Sequence, residues 1–194
     1  MVFFQTKSAA RSFNCFTFEL MITIIVGTNR TDAKSEEVAI QYGDILVGLG
    51  VETEMLSLQQ LPDDYIRSAL YENVGQNEAF NKVRDTVNSA TKFLFVIPEY
   101  NGSFPGVLKA FVDGLDRAKA LTGKKSALVG ISAGDQGAGL ALSHFTDILN
   151  YCGTNVLAYR LRLPNIGNAM TDNKISNTAY LEKMHKQAEQ LIEF

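Results

Sequence analysis

The stretch Lys92–Asp116, KFLFVIPEYNGSFPGVLKAFVDGLD, decides how this chain folds. Phe93, Leu94, Phe95, Val96 and Ile97 form a continuous apolar run, the composition of a strand covered on both faces. Pro98 ends the run, a polar loop with a glycine follows, and Pro105 opens a helix. Val107, Leu108, Phe111, Val112 and Leu115 recur at spacings of three and four and give that helix its buried face. In an open parallel sheet, ligands bind beyond the carboxyl ends of the strands. The loop Glu99–Ser103 belongs there, dense in hydrogen-bonding and aromatic groups and pinned by prolines.

The same unit repeats on either side. Upstream, Ile22–Val26 reads as a buried strand and Gly27–Lys34 as a polar loop. Val38, Tyr42, Ile45, Leu46 and Leu49 mark a helix that Gly48 and Gly50 bring to its end. Val51–Leu58 alternates into another strand, and Asp63 is expected to cap a short helix reaching Tyr71. Phe80, Val83, Val87 and Ala90 line the helix leading to Phe93. Downstream come the strand Ala127–Ile131, the loop SAGDQGAG (Ser132–Gly139) and a helix carrying Ala141, Phe145, Ile148, Leu149 and Cys152. Asn155–Tyr159 reads as the fifth strand and Pro164–Asn177 as irregular. Leu181, Met184, Ala188 and Leu191 belong to a closing helix.

Five strands alternating with helices predict an α/β protein with a parallel sheet in three α/β/α layers. Right-handed crossovers give the strand order 2-1-3-4-5. In that order the chain changes direction between the first and third strands. Gly27–Ser35 and Pro98–Ser103 therefore meet at the switch point.

A chain of 194 residues, 46% hydrophobic and 20% charged, is sized for one soluble globular domain. A net charge of −3 gives no electrostatic footprint for nucleic acid. No apolar run approaches the roughly 18 residues of a membrane helix. Cys15 and Cys152 share no motif, so neither a metal site nor a disulfide framework is expected, and a reduced, cytoplasmic setting follows. Residues 1–20 are rich in phenylalanine but broken by Gln5, Lys7, Ser8, Arg11 and Asn14, and Met21 precedes the first strand. They read as an N-terminal extension outside a domain of residues 21–194; a poorly ordered arm or an inefficient targeting peptide stays open.

The loop GTNRTDAKS (Gly27–Ser35) is neither a Walker A sequence nor a dinucleotide fingerprint. It places Thr28, Arg30, Thr31 and Ser35 at the entry of a helix, where hydroxyls, free N–H groups and the helix dipole favour an anion. Arg30 suits a bidentate phosphate contact, although Ser35 as a plain helix cap would explain its presence equally well. In the second loop, Tyr100 offers a stacking surface, and Glu99, Asn101 and Ser103 offer hydrogen bonds. A planar heterocycle bearing a phosphate would span both loops.

PEYNGSFPGVLKAFVDGLD resembles the flavin-loop signature of the NADPH-dependent FMN reductase family, flavodoxin-like enzymes that include azo, quinone and chromate reductases. GTNR is similar to that family's G-[ST]-x-R phosphate loop. The resemblance implies that Thr28, Arg30 and Ser35 hold the phosphate of FMN, with backbone contacts from Asn29 and Thr31. It also implies that Pro98, Glu99, Tyr100 and Asn101 line the flavin ring, with Ser132 as a further flanking residue. NADPH or NADH would be the co-substrate, and a quinone, azo compound, free flavin or metal oxyanion the acceptor of two electrons. The flavin carries such chemistry, so no catalytic side chain and no metal is named. The resemblance further implies a homodimer or homotetramer.

The family loop usually continues R-x-x-S-x-[ST], and Ala33 stands where the inner serine belongs. One neutral hydrogen bond fewer costs about 0.5–1.5 kcal/mol. Two other readings remain open from the residues: a flavodoxin-type electron carrier and a flavin-free binding module on the same fold.

Overall fold

The computed structural model describes residues 21–194. The expected extension, residues 1–20, lies outside the described residues, and Cys15 with it. In chain order the elements are β1 (Met21–Val26), α1 (Lys34–Gly48), β2 (Glu52–Ser57), α2 (Tyr65–Ser68), α3 (Glu78–Ser89), β3 (Lys92–Pro98), α4 (Gly106–Asp113) and α5 (Arg117–Ala120). Then follow β4 (Lys125–Ile131), α6 (Gly139–Tyr151), β5 (Asn155–Val156), β6 (Leu161–Leu163), β7 (Met170–Thr171), β8 (Lys174–Ile175) and α7 (Thr178–Glu193). The main sheet is parallel and ordered β2-β1-β3-β4-β5, with β6 also on β4. This is the predicted flavodoxin-like order.

Strand side chains alternate between faces, so each inner strand feeds two cores. Phe93, Phe95 and Ile97 of β3 pack with Phe80, Phe111 and Phe145 from α3, α4 and α6. Leu94 and Val96 face the other way, among Val38, Tyr42 and Leu46 of α1 and Met184, Ala188 and Leu191 of α7. Two helices cover one face and the remainder the other, which is what the right-handed crossovers require.

The fifth lane of the sheet departs from the expected single strand Asn155–Tyr159. β5 pairs only with Lys125 and Ser126, and β6 resumes pairing beside Val129–Ile131. A side chain fills the interruption. Gln187 of α7, fully buried, donates from Nε2 to Leu128 O (3.0 Å) and Tyr159 O (2.7 Å). Its Oε1 accepts from Tyr42 Oη at 3.0 Å. The amide of Gln187 thus does for β4 what a strand peptide would, and buried carbonyls need such partners.

Two smaller readings change as well. Asp64, not Asp63, holds the N-cap position of α2, and that helix stops at Ser68. Tyr71 has φ 55°, which a right-handed helix cannot accommodate. The segment read as irregular contains the hairpin β7–β8. Its turn residues Asp172 and Asn173 both have positive φ, as a type I′ turn demands.

Candidate functional site

β1 and β3 lie side by side, Ile22–Val26 against Lys92–Val96, so the loops that follow them emerge together. Gly27 N–H continues the pairing onto Val96 O at 2.9 Å. Beyond it Thr28 turns inward and is buried, its Oγ1 2.8 Å from Tyr100 Oη. The same Oγ1 accepts from Arg30 N–H at 3.2 Å. The Tyr100 ring does border the site, but its hydroxyl works as the bolt between the two loops.

The second loop is a tight hairpin. Tyr100 and Ser103 exchange both backbone hydrogen bonds, at 2.8 and 3.1 Å. Asn101 (φ 52°) and Gly102 (φ 77°) form the turn. Asn-Gly is the preferred pair for a type I′ turn, because both positions need positive φ. Ser103 Oγ then meets His144 Nδ1 of α6 at 3.0 Å. His144, an unremarkable helix residue in the sequence, anchors the loop from its far side.

Between the loops opens a cleft of about 290 Å³. Of the residues singled out, Arg30, Ser35, Pro98, Glu99, Tyr100 and Ser132 line it. Thr28 lies beneath, tied to Tyr100, whereas Asn29, Thr31 and Asn101 are exposed and outside the lining. The sequence reading passed over Ala133 and Ile166, which also line it. Ala133 only needed the loop after β4 to be carried one residue further. Ile166 gave no signal, since it arrives on a 3-10 turn after β6, held by its N–H on Ser132 O at 3.0 Å.

The end of the cleft at α1 is short of partners. Ala33 occupies the N-cap with no side-chain oxygen to offer the first turn. Ser35 Oγ is fully buried and has no hydrogen-bond partner among the described residues. Orphaned hydroxyls of this kind cost about 1–3 kcal/mol unless a ligand or water satisfies them. Arg30 makes no ion pair among the described residues, while Lys34 is drawn to Asn173 Oδ1 at 3.1 Å and Glu37 at 3.5 Å. A dianionic phosphate would take the Ser35 hydroxyl, the open first turn and the Arg30 guanidinium together.

The opposite wall is already satisfied. Ser132 Oγ donates to Gly134 O at 2.7 Å and accepts from Gly137 N–H at 2.9 Å. Glu99 N–H is spent on Ile131 O at 3.0 Å. These residues shape the wall and leave the cleft open above it. Among the described residues no group of three or more His, Cys, Asp or Glu is placed to hold a metal ion.

A flavodoxin-like α/β protein with an open cleft at its topological switch point defines a class, and comparison narrows it. The profile of the NADPH-dependent FMN reductases matches residues 20–164, and the chain belongs to that family. It is 31% identical over 121 residues to an NAD(P)H-dependent FMN reductase of Pseudomonas aeruginosa, covering 61% of this chain and 64% of that one. A quinone reductase of Pseudomonas putida is 29% identical over 126 residues, covering 63% and 65%. The matched region thus spans just under two thirds of the length of these curated relatives. In fold, the chain is similar to FerB, an NAD(P)H:(acceptor) oxidoreductase flavoenzyme from Paracoccus denitrificans. That likeness has a TM-score of 0.73 at 21% identity and covers 90% of this chain and 96% of that one.

Proposed function

We propose that this protein is an FMN-dependent NAD(P)H oxidoreductase that reduces a small quinone-type acceptor. The observation that carries the reading is Ser35: a buried hydroxyl at an uncapped helix start, beside Arg30, where among the described residues the hydroxyl has no hydrogen-bond partner and the guanidinium no ion pair. Family membership and the quinone reductase of Pseudomonas putida support the same cofactor and acceptor class.

In this reading Arg30, Ser35 and the free N–H groups at the start of α1 hold the FMN phosphate. Thr28 positions Arg30 by accepting its backbone N–H and fixes Tyr100 by their shared hydrogen bond. Pro98, Glu99 and Tyr100 form one side of the ring site and Ser132 and Ala133 the other. Asn101 serves the turn, and Asn29 and Thr31 keep backbone contacts only. When bound, FMN supplies two-electron chemistry between a reduced nicotinamide and the acceptor, so the protein's part is to bind, orient and leave one face open. A homodimer or homotetramer and a cytoplasmic setting belong to the same reading, with Leu140 and Tyr151, exposed on α6, as apolar surface that assembly would cover.

Titrating FMN into the protein and following flavin fluorescence tests the reading, together with NAD(P)H oxidation in the presence of a benzoquinone. Saturable quenching and quinone-dependent oxidation are expected. An FMN Kd above about 1 mM, roughly 4 kcal/mol of binding, would leave the flavin-free module standing instead.

A further inference from the structure

The hairpin Tyr100–Ser103 carries a chemical liability that its geometry leaves open. Asn-Gly occurs once in the chain, at Asn101-Gly102, and Asp-Gly once, at Asp113-Gly114. In either dipeptide the backbone nitrogen of the glycine can attack the side-chain carbonyl carbon of the residue before it, since no Cβ hinders the approach. The structure separates the two. Gly114 N–H is bonded to Ala110 O and Phe111 O, both at 3.1 Å, and Lys109 Nζ holds the Asp113 carboxylate at 2.6 and 2.7 Å. Gly114 is also walled in: a methyl group on it would stand 2.6 Å from Phe80 Cζ.

Asn101 is exposed, and among the described residues neither its carboxamide nor Gly102 N–H has a hydrogen-bond partner. A methyl group on Gly102 would meet nothing within 4 Å. Both reacting groups are therefore free. What holds them apart is the turn. Its φ values are 52° at Asn101 and 77° at Gly102, and ring closure requires the peptide between them to rotate out of that geometry. The closed hairpin rests on few contacts. Tyr100 and Ser103 exchange their two backbone hydrogen bonds, Tyr100 Oη meets Thr28 Oγ1 at 2.8 Å, and Ser103 Oγ meets His144 Nδ1 at 3.0 Å, at the surface. Segments held by few buried bonds open locally at low free energy.

We propose that Asn101 is a site of spontaneous deamidation that a bound flavin guards, so that protein left without cofactor loses its ring site by conversion of Asn101 to isoaspartate. In the open hairpin the Gly102 nitrogen gives up its proton to hydroxide and bonds to Asn101 Cγ. The carboxamide nitrogen leaves as ammonia, and a five-membered succinimide remains. Water opens that ring at either carbonyl, so the net change is amide plus water to acid plus ammonia, with no oxidant or reductant. One product is aspartate. The other is isoaspartate, whose main chain runs through Cβ and is one atom longer. Asp-Gly suits a type I′ turn as Asn-Gly does, so the first product keeps the hairpin. The second breaks the two-residue turn that lets Tyr100 and Ser103 pair, and with it the wall that Tyr100 gives the cleft. A flavin seated against Pro98, Glu99 and Tyr100 favours the closed hairpin and so suppresses ring closure by mass action. The consequence for FMN rests on the flavin reading of the cleft; the reaction at Asn101 rests on the hairpin alone.

Keeping the protein in mildly alkaline buffer, with and without FMN, tests it. Peptide mass spectrometry follows the change from amide to acid, and enzymatic isoaspartyl methylation follows the longer product. Asn101 should convert before every other described asparagine. FMN at about 100 times its Kd should slow that conversion at least tenfold, towards the mass-action limit of about 100-fold. Ser103→Ala, which cuts the surface tie to His144, should speed it severalfold in the absence of FMN. The isoaspartyl form, separated by chromatography, should bind FMN at least tenfold more weakly than Asn101→Asp, which reproduces the other product. Conversion of Asn101 no faster than that of other asparagines would overturn the proposal, as would equal FMN affinity of the two acid forms or a rate that bound FMN leaves unchanged. Conversion at Asn101 in a protein that takes up no FMN would keep the site and reject the flavin reading. Saturable FMN binding with an inert Asn101 would do the reverse.

Discussion

The loops after β1 and β4 occupy equivalent places, each running from a buried strand into a helix that packs on the sheet, yet they treat their polar groups in opposite ways. The β1 loop leaves Ser35 Oγ without a partner, starts α1 with an alanine cap and holds Arg30 free of any carboxylate among the described residues. The β4 loop consumes what it has. Ser132 closes a ring onto Gly134 and Gly137, and Asp135 and Asn165 bond each other across the neighbouring turn. Buried polar groups without partners are costly, so the first loop carries a cost that a ligand can remove. The second is already near its minimum. The difference makes the β1 loop the candidate for binding and the β4 loop a framing loop, a distinction glycine content would miss, for the β4 loop has more glycines.

The contrast can be broken from either side. Arg30→Ala removes the loop cation that makes no ion pair among the described residues, a charge-assisted contact worth about 1.5–3 kcal/mol, and should weaken FMN by roughly 10- to 150-fold in a fluorescence titration. Thermal stability without FMN should hardly move. Ser132→Ala should behave the other way round. It strands the buried Gly137 N–H at a cost of about 1–2 kcal/mol, visible as a Tm lowered by several degrees, with FMN affinity changed less than about threefold. Ala33→Ser gives the binding loop the hydroxyl it lacks. A gain of about 0.5–1 kcal/mol is expected, either as FMN bound a few-fold more tightly or as a capped and stabilised α1. The smallest effect near neutrality is alkaline. Burial raises the phenol pKa of Tyr42, and burial next to the Asp113 carboxylate pushes Tyr65 up to about 12. A folded-state pKa above the ordinary value near 10 gives stability that is complete below pH 10 and falls as pH rises towards 12 and beyond. Melts taken from pH 9 to 12 should show that decline, and a Tm flat across the range would count against it.

Much of this was legible in the sequence because β1, β3 and β4 are continuous apolar runs and their order follows from crossover handedness. Asn101-Gly102 announced a type I′ hairpin in plain terms, and only its reading as a generic loop hid the tight turn. Other features had no local signature. Whether Ser132 serves a ligand or its own loop depends on where Gly137 returns, and the approach of Ile166 depends on Asn165 adopting φ 48°. The break in the fifth lane was beyond pattern reading altogether. NVLAY (Asn155–Tyr159) looks like strand, and the residue that fills its interruption, Gln187, belongs to a helix that a periodicity argument treats only as a cover for the core.

That glutamine gives the sheet edge an unusual dependence. The carbonyls of Leu128 in β4 and of Tyr159 ahead of β6 are satisfied by one side chain, so undocking α7 would withdraw the clip from both in the same motion. Stability within a domain is commonly divided into units that open separately. If α7, Tyr159 and the β6 edge open as such a unit, the opening must also break the Tyr42–Gln187 hydrogen bond and the packing of Met184, Ala188 and Leu191 on the sheet. In a hydrogen-exchange experiment their amides would report a shared, lower opening energy, and anything bound along that edge would raise the protection of the closing helix.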